Sequence, residues 1–120
     1  MTSIKKKVAV VGSRAFNKYD LMVKELNKYD IDTIISGGAY GADKLAETYA
    51  KEKGIKLQII YPDWKRYGRA AGPIRNKEII SLCDIVVAFW DEKSPGTYSS
   101  INLGRNANKE VHVVCYNKYE

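Results

Sequence analysis

The sequence predicts one α/β domain of three layers, in which helices cover both faces of a five-stranded parallel sheet. Short apolar runs alternate with segments whose apolar residues recur at helical spacing, throughout the 120-residue chain. Strands that are separated by helical crossovers pair in parallel, which requires helices on the faces of the sheet. No linker, repeat or low-complexity segment interrupts this order, so residues 1–120 are expected to form a single domain.

In the first half of the chain the strands are rich in Val and Ile, and each helix has an apolar stripe. Met22 and Leu26 mark the stripe of the first helix, and Ala46 and Ala50 mark that of the second. The predicted elements are strand Lys7–Gly12, helix Tyr19–Tyr29 with Asn17 as its cap, strand Asp32–Ser36, helix Gly41–Lys53 ended by Gly54, and strand Lys56–Tyr61.

In the second half, Pro62 interrupts the alternation and Asp63–Gly72 shows no clean period, so this segment is predicted to be the longest connection. Pro73 suits the first position of a helix. The predicted elements are helix Pro73–Leu82, strand Asp84–Trp90, helix Thr97–Asn108 and strand Glu110–Tyr116. Because Asp84–Trp90 is the most apolar strand, it is expected to lie at the centre of the sheet.

The ends of the strands point to function at one edge of the sheet. The first four strands end in unusual sequences, whereas the connections at the opposite edge are ordinary charged turns. In open parallel sheets, ligands bind beyond the carboxyl ends of the strands, where the strand order reverses. The strand-end residues with this expected role include Gly12, Ser13, Arg14, Ser94 and Gly96.

A glycine-rich loop after the second strand predicts binding of a phosphate-bearing molecule. Gly37, Gly38 and Gly41 lie between an apolar run and a helix start, where backbone N–H groups can approach an anion. The loop matches neither the dinucleotide fingerprint nor a P-loop, so NAD and nucleoside triphosphates are not the first expectation. Asp43 either favours the helix dipole or hydrogen-bonds a ribose or base.

Further candidates surround this loop. Ser94, Gly96, Thr97 and Ser100 form a second helix entry rich in small and hydroxyl residues, which favours a binding role beyond a simple cap. Arginine suits bidentate binding of phosphate, and two tryptophans near this edge suit stacking of a base. The residues expected in these roles are Arg14, Arg69, Arg75, Asn76, Trp64 and Trp90.

The composition leaves several other function classes without support. Cys83 and Cys115 lack a Cys-x-x-Cys spacing and His112 is the only histidine, so neither a metal site, a disulfide nor a cofactor is expected. No apolar run reaches membrane-spanning length, and free thiols are typical of a cytoplasmic protein. The net charge of +6 favours association with polyanions, so nucleic acid stays among the candidate partners.

Together these motifs resemble the SLOG superfamily, in the branch of small YspA-type proteins. The resemblance runs across nearly the whole chain and rests on Val11–Arg14, Ser36–Asp43, Asp63–Trp64, Ala70–Asn76 and Gly96–Thr97. It implies a Rossmann-like fold, a nucleotide-derived ligand such as a cyclic nucleotide or an ADP-ribose derivative, and a homodimer or higher homo-oligomer. Related groups are the lonely-guy phosphoribohydrolases and the DNA-processing protein A domain, which binds single-stranded DNA.

One position departs from the hydrolases of that superfamily. When their Gly-Thr motif is aligned on Gly96–Thr97, Ser100 replaces the glutamate that carries catalysis, and serine cannot act as that carboxylate. The first hypothesis is therefore a protein that senses or sequesters a nucleotide without cleaving it. An N-glycosidic nucleotide hydrolase that uses Asp91 or Glu92 instead is the second hypothesis, and a single-stranded nucleic-acid-binding protein is the third.

Overall fold

A computed structural model, which describes residues 4–116, contains a five-stranded parallel sheet in the order β3-β2-β1-β4-β5. Its strands are β1 (Lys6–Gly12), β2 (Ile31–Ser36), β3 (Lys56–Ile59), β4 (Ile85–Trp90) and β5 (Glu110–Cys115). Its helices are α1 (Tyr19–Leu26), α2 (Ala42–Lys53), α3 (Trp64–Tyr67), α4 (Ala71–Leu82) and α5 (Pro95–Asn106). The predicted three-layer α/β architecture is confirmed.

The strand order reverses at β1, which is the central strand. β2 and β3 add to one side of β1, and β4 and β5 add to the other. The helices before the reversal, α1 and α2, pack on one face with core residues such as Met22 and Ala46. The helices after it, α4 and α5, pack on the other face with core residues such as Ile80 and Ile101. Connections on the two sides of β1 therefore diverge at its carboxyl end and leave a crevice there.

Several boundaries differ from the sequence-based prediction. α1 ends at Leu26 rather than Tyr29, and Lys18 rather than Asn17 precedes it. β4 is almost fully buried, as its sequence indicates, but it lies beside the centre of the sheet rather than at it. Burial on both faces gives β1 and β4 the same apolar pattern, so hydropathy does not distinguish the central strand from its neighbour. Within residues 4–116, no helix is both long and apolar enough to span a bilayer.

The segment predicted to be a long connection is mostly helical. α3 is followed by a turn of 3₁₀-helix over Gly68–Ala70, and α4 begins at Ala71 rather than Pro73. Pro73 is the third helical residue, where its missing N–H is tolerated because the first four N–H groups of a helix have no partner within it. Arg75 therefore lies in the second turn of α4, whereas a start at Pro73 would place it in the first turn, where the helix dipole disfavours a cation.

Gly12 allows α2 to approach the end of β1. A Cβ atom at this position would lie 2.5 Å from the Cβ of Ala42 and 2.7 Å from the carbonyl oxygen of Phe89. Both neighbours are held by the packing of the sheet and of α2, so neither can move away cheaply. This contact sets the distance between β1 and the loop that begins α2.

We expect Gly12→Ala to lower the free energy of unfolding by about 2–3 kcal/mol, because overpacking forces backbone shifts. Gly96→Ala is the matched control, since a Cβ there meets nothing within 4 Å. Urea denaturation of the two variants measures the difference. Equal stability of both variants would contradict the close approach.

Candidate functional site

The crevice at the strand-order reversal has a volume of about 490 Å³, within the range of small-molecule sites. Its wall combines the end of β1, the glycine loop, α4 and the start of α5. The lining residues are Val11, Gly12, Ser13, Arg14, Ala15, Gly37, Ala39, Asp43, Arg75, Asn76, Ile79, Asp91, Ser94, Gly96, Thr97 and Ser100.

Backbone N–H groups of the glycine loop, and of the residue that begins α2, donate hydrogen bonds to the protein itself. The Gly38 N–H donates to the Ser36 hydroxyl over 3.2 Å, and the Ala39 N–H donates to Asp43 Oδ2 over 3.1 Å. The Ala42 N–H, at the start of α2, donates to the Ser13 carbonyl over 3.3 Å. Gly41 has a φ of +76° and lies against the Ser13 and Arg14 carbonyls, so only glycine fits there. These hydrogen bonds hold the loop in one conformation as a wall of the crevice. The three amides do not point toward a ligand.

Asp43 holds this loop in place through its hydrogen bond with Ala39 and is 9% exposed. Burial raises its pKa from 3.8 to about 6, while the Ala39 hydrogen bond and the Arg75 charge act in the opposite direction. Nearby Glu47 raises the pKa further. A carboxyl group whose pKa is raised well above its ordinary value therefore lines the crevice.

Arg75 is the half-buried cation of the crevice. One Nη1–H donates to the Gly37 carbonyl over 2.6 Å, and Nε–H donates to Asn76 Oδ1 over 2.8 Å. Burial lowers the pKa of this guanidinium, Asp43 offsets part of that effect, and Arg14 adds to the lowering. Within residues 4–116, neither arginine makes an ion pair with a carboxylate within 4.0 Å. Asp43 acts on Arg75 only from beyond ion-pair distance, and an anion in the crevice would supply a direct ion-pair partner.

The start of α5 faces the same space. Ser94 occupies the cap position, but its hydroxyl donates to Asp91 Oδ2 over 2.8 Å and does not cap the helix. Among residues 4–116, the N–H groups of Gly96 and Thr97 have no acceptor. Two free amides at the positive end of a 12-residue helix are a suitable environment for negative charge.

Two further polar groups of the lining are already engaged. Burial raises the pKa of Asp91, but hydrogen bonds from Ser94 and Lys93 outweigh that effect and lower it overall. Asp91 Oδ1 accepts from the N–H groups of Lys93 and Ser94, over 2.9 and 2.7 Å. The Ser13 hydroxyl is bonded to the Tyr116 hydroxyl. The Asp91 carboxylate and the Ser13 hydroxyl therefore hydrogen-bond within the protein and hold the loops that line the crevice.

The structure brings together most of the residues predicted from the sequence. Gly38 and Trp64 lie instead in a second cavity, which adjoins the crevice and is lined by Arg14, Gly37, Gly38, Ala39, Tyr40, Lys44, Tyr61, Pro62, Trp64 and Arg75. Gly41, Arg69, Trp90 and Glu92 line neither cavity. Trp90 stacks on Tyr98 at 5.6 Å between ring centroids and donates to the Ser94 carbonyl, so it supports the α5 entry loop.

Sequence reasoning included Trp64 but missed two tyrosines of the second cavity. Tyr40 lies within the glycine loop and Tyr61 lies two residues after the end of β3, so their position beyond strand ends was a usable signal. Ile79 was missed because it is a buried apolar residue and is indistinguishable by sequence from other core positions such as Ile80. No group of three or more His, Cys, Asp or Glu residues suited to a metal is found among the described residues.

Comparison with known proteins agrees with this fold. The chain is 30% identical over 118 residues to the Gene 61 protein of Mycobacterium phage D29, covering 88% of this chain and 94% of that protein. The solved structure of DNA processing protein A (DprA) from Streptococcus pneumoniae is similar with a TM-score of 0.72 and 24% identity. DprA from Helicobacter pylori, which was described with its single-stranded DNA binding mode, is similar with a TM-score of 0.71 and 24% identity.

These structures are longer than the chain. The similarity covers 91% of this chain but 50% of the S. pneumoniae protein, and 89% of this chain but 64% of the H. pylori protein. At this identity the likeness concerns the fold. The family model that matches residues 6–67, from β1 to α3, is that of the YspA, cpYpsA-related SLOG family. With its strands, glycine loop and crevice in this arrangement, the chain belongs to the YspA, cpYpsA-related SLOG family.

Proposed function

We propose that the crevice binds the phosphate of a nucleotide or nucleotide-derived molecule and holds it without breaking a bond. The observation that carries this proposal is Arg75, a half-buried cation without an ion-pair partner among residues 4–116, in a cavity that also receives the free amides of α5. A buried charge needs a partner, and phosphate satisfies both the guanidinium and the helix start.

The proposed phosphate position differs from the one that the glycine loop suggests. Because the Gly38 and Ala39 amides are engaged by Ser36 and Asp43, the phosphate contacts would come from Arg75, Arg14, Gly96 and Thr97. The glycine loop would then supply a close, flat wall. Gly37 supports this, because a side chain there would collide with Arg75 Nη1 at 2.7 Å.

Holding the ligand is favoured over cleaving it. Ser100 lines the crevice at the position where related hydrolases carry a glutamate, and it is 3% exposed. Asp91, one candidate replacement, has a lowered pKa and accepts three hydrogen bonds from its own loop. It therefore lacks a proton to donate at neutral pH. Glu92, the other candidate, does not line the crevice.

Single-stranded nucleic acid is the second candidate ligand. Its support is the fold shared with two DprA structures, one of them described for its single-stranded DNA binding mode, together with a net charge of +6. A strand would present the same phosphate chemistry to Arg75 and Arg14, and its affinity would fall steeply with salt.

We expect Arg75→Ala to weaken nucleotide binding at least about tenfold, because charge-assisted hydrogen bonds contribute roughly 1.5–3 kcal/mol. The ligands are a panel of mono-, di- and cyclic nucleotides and ADP-ribose, tested by thermal shift and then by calorimetry. Arg105→Ala is the matched control, since Arg105 is exposed and lines neither cavity. A panel without any binder would overturn the proposal.

We also expect AMP to remain intact during prolonged incubation with the protein, because no carboxylate takes the place of the missing glutamate. Chromatographic separation of AMP and adenine measures this. Release of adenine that is lost in Asp91→Ala or Glu92→Ala would instead favour the hydrolase.

The charge of Asp43 should make stability depend on pH. The folded-state pKa of about 6 exceeds the ordinary value of 3.8, so this group stabilises the fold fully below pH 3.8, and the contribution is lost as pH rises through 6. As the pH rises from 5 to 7.5, we expect the unfolding free energy of Asp43→Asn to increase relative to that of the wild type by on the order of 1 kcal/mol.

Urea denaturation at several pH values measures this difference. Asp91→Asn is the control, because the lowered pKa of Asp91 confines its effect to acidic solution, where its stabilising contribution is lost. Its difference from wild type should stay constant between pH 5 and 7.5. Parallel curves for Asp43→Asn and wild type would contradict a raised pKa.

A further inference from the structure

The second cavity continues the crevice past the glycine loop. It has a volume of about 370 Å³ and shares four lining residues with the crevice, namely Arg14, Gly37, Ala39 and Arg75. The two cavities are therefore compartments of one surface, and a ligand that passes Arg14 and Arg75 can occupy both.

Aromatic side chains are exposed around this second cavity. Tyr40 is 77% exposed, Tyr61 is 63% exposed and Trp64 is 55% exposed. Large aromatic residues are usually buried where the fold alone determines their place, and an exposed cluster marks a surface for a partner. Their grouping at a cavity distinguishes them from isolated exposed residues such as Ile4.

The fold determines where the backbone presents two of these rings. Tyr61 packs against Gly38, where any side chain would come within 2.5 Å of the Tyr61 ring. Trp64 is the first residue of α3, whose start is capped by the Asp63 carboxylate accepting from the Arg66 N–H over 3.2 Å. With the backbone fixed at both positions, only side-chain torsions remain to be ordered when a base stacks on these rings.

The charge on this surface is positive and lies at the boundary between the compartments. Arg14 and Arg75 line both, and Lys44 lines the second with its Nζ 3.4 Å from Glu47 Oε1. Aromatic rings that flank arginines are the arrangement that binds nucleotides joined through phosphate, since bases stack while cations contact the bridge.

We propose that the second cavity is a stacking subsite for a second nucleoside, joined through a phosphate bridge to the nucleotide in the crevice. Arg14 and Arg75 contact the bridge, and Trp64 provides the principal stacking surface. The inference rests on the proposed function of the crevice and adds the class of ligand. A dinucleotide and a single strand share this chemistry.

Calorimetry with four probes tests the subsite. The probes are thymidine monophosphate, the thymidine dinucleotide with the same terminal phosphate, a thymidine decanucleotide and a dinucleoside pyrophosphate. We expect at least one of the three bridged probes to bind about tenfold to a hundredfold tighter than the mononucleotide, which corresponds to one stacked base. Tighter binding of the decanucleotide alone would identify a strand, and tighter binding of the dinucleotide or the pyrophosphate would show that two nucleosides suffice.

Three variants separate stacking from folding. Trp64→Ala should remove the gain of the bridged probes and leave mononucleotide affinity within about twofold, while Trp64→Phe should keep most of the gain because it keeps a ring. Tyr67→Ala, on the same short helix but outside the cavity lining, should keep all of it. Thermal unfolding of each variant verifies that it folds.

Two results would overturn the inference while leaving the proposed function in place. One is equal affinity of the mononucleotide and every bridged probe for the wild-type protein. The other is an undiminished gain in folded Trp64→Ala. If neither the mononucleotide nor any bridged probe binds, the subsite is overturned, and the proposed function fails with it when the nucleotide panel also contains no binder.

Discussion

The reversal of strand order at β1 is the constraint on which the rest of the structure depends. It separates the connection that follows β1 from the one that follows β4, so a crevice forms where the backbones diverge. It also sends α2 and α5 to opposite faces of the sheet, and their first turns approach the crevice from different directions. Gly12 then determines how near α2 can come to β1.

In the crevice, the charges of Asp43 and Arg75 compensate each other only in part. Burial disfavours the ionised form of Asp43, and the charge of Asp43 offsets only part of the lowering that burial imposes on the pKa of Arg75. The two groups are connected through the glycine loop rather than by a direct ion pair, since Asp43 holds Ala39 and Arg75 holds Gly37. That arrangement leaves guanidinium donors facing the cavity.

Much of the architecture could be predicted from the sequence, because apolar periodicity and glycine placement report directly on strands, helices and turns. The location of the site at the strand ends followed from topology in the same way. The segment after Pro62 was misjudged because α3 has four residues and makes too few core contacts to show a period. The direction of the glycine-loop amides was also beyond the sequence, since it depends on the backbone conformation in which Ser36 and Asp43, two and four residues away, accept from them.

The aromatic surface illustrates a related limit. Trp64 and Trp90 have similar sequence surroundings at strand ends, yet one is exposed at a cavity and the other stacks on Tyr98. Which tryptophan contacts solvent is decided by whether a helix such as α5 begins close enough to cover it. Hydropathy carries no information about that distance.

The hydrogen bonds that hold the glycine loop have a consequence for the rate and the entropy of ligand association. Since Ser36 and Asp43 already hold the loop, a ligand would meet a wall that needs no ordering on arrival. Association would then be limited by diffusion and orientation rather than by a slow loop closure. The entropy lost on binding would be mainly that of the ligand, so rigid ligands would gain most from this surface.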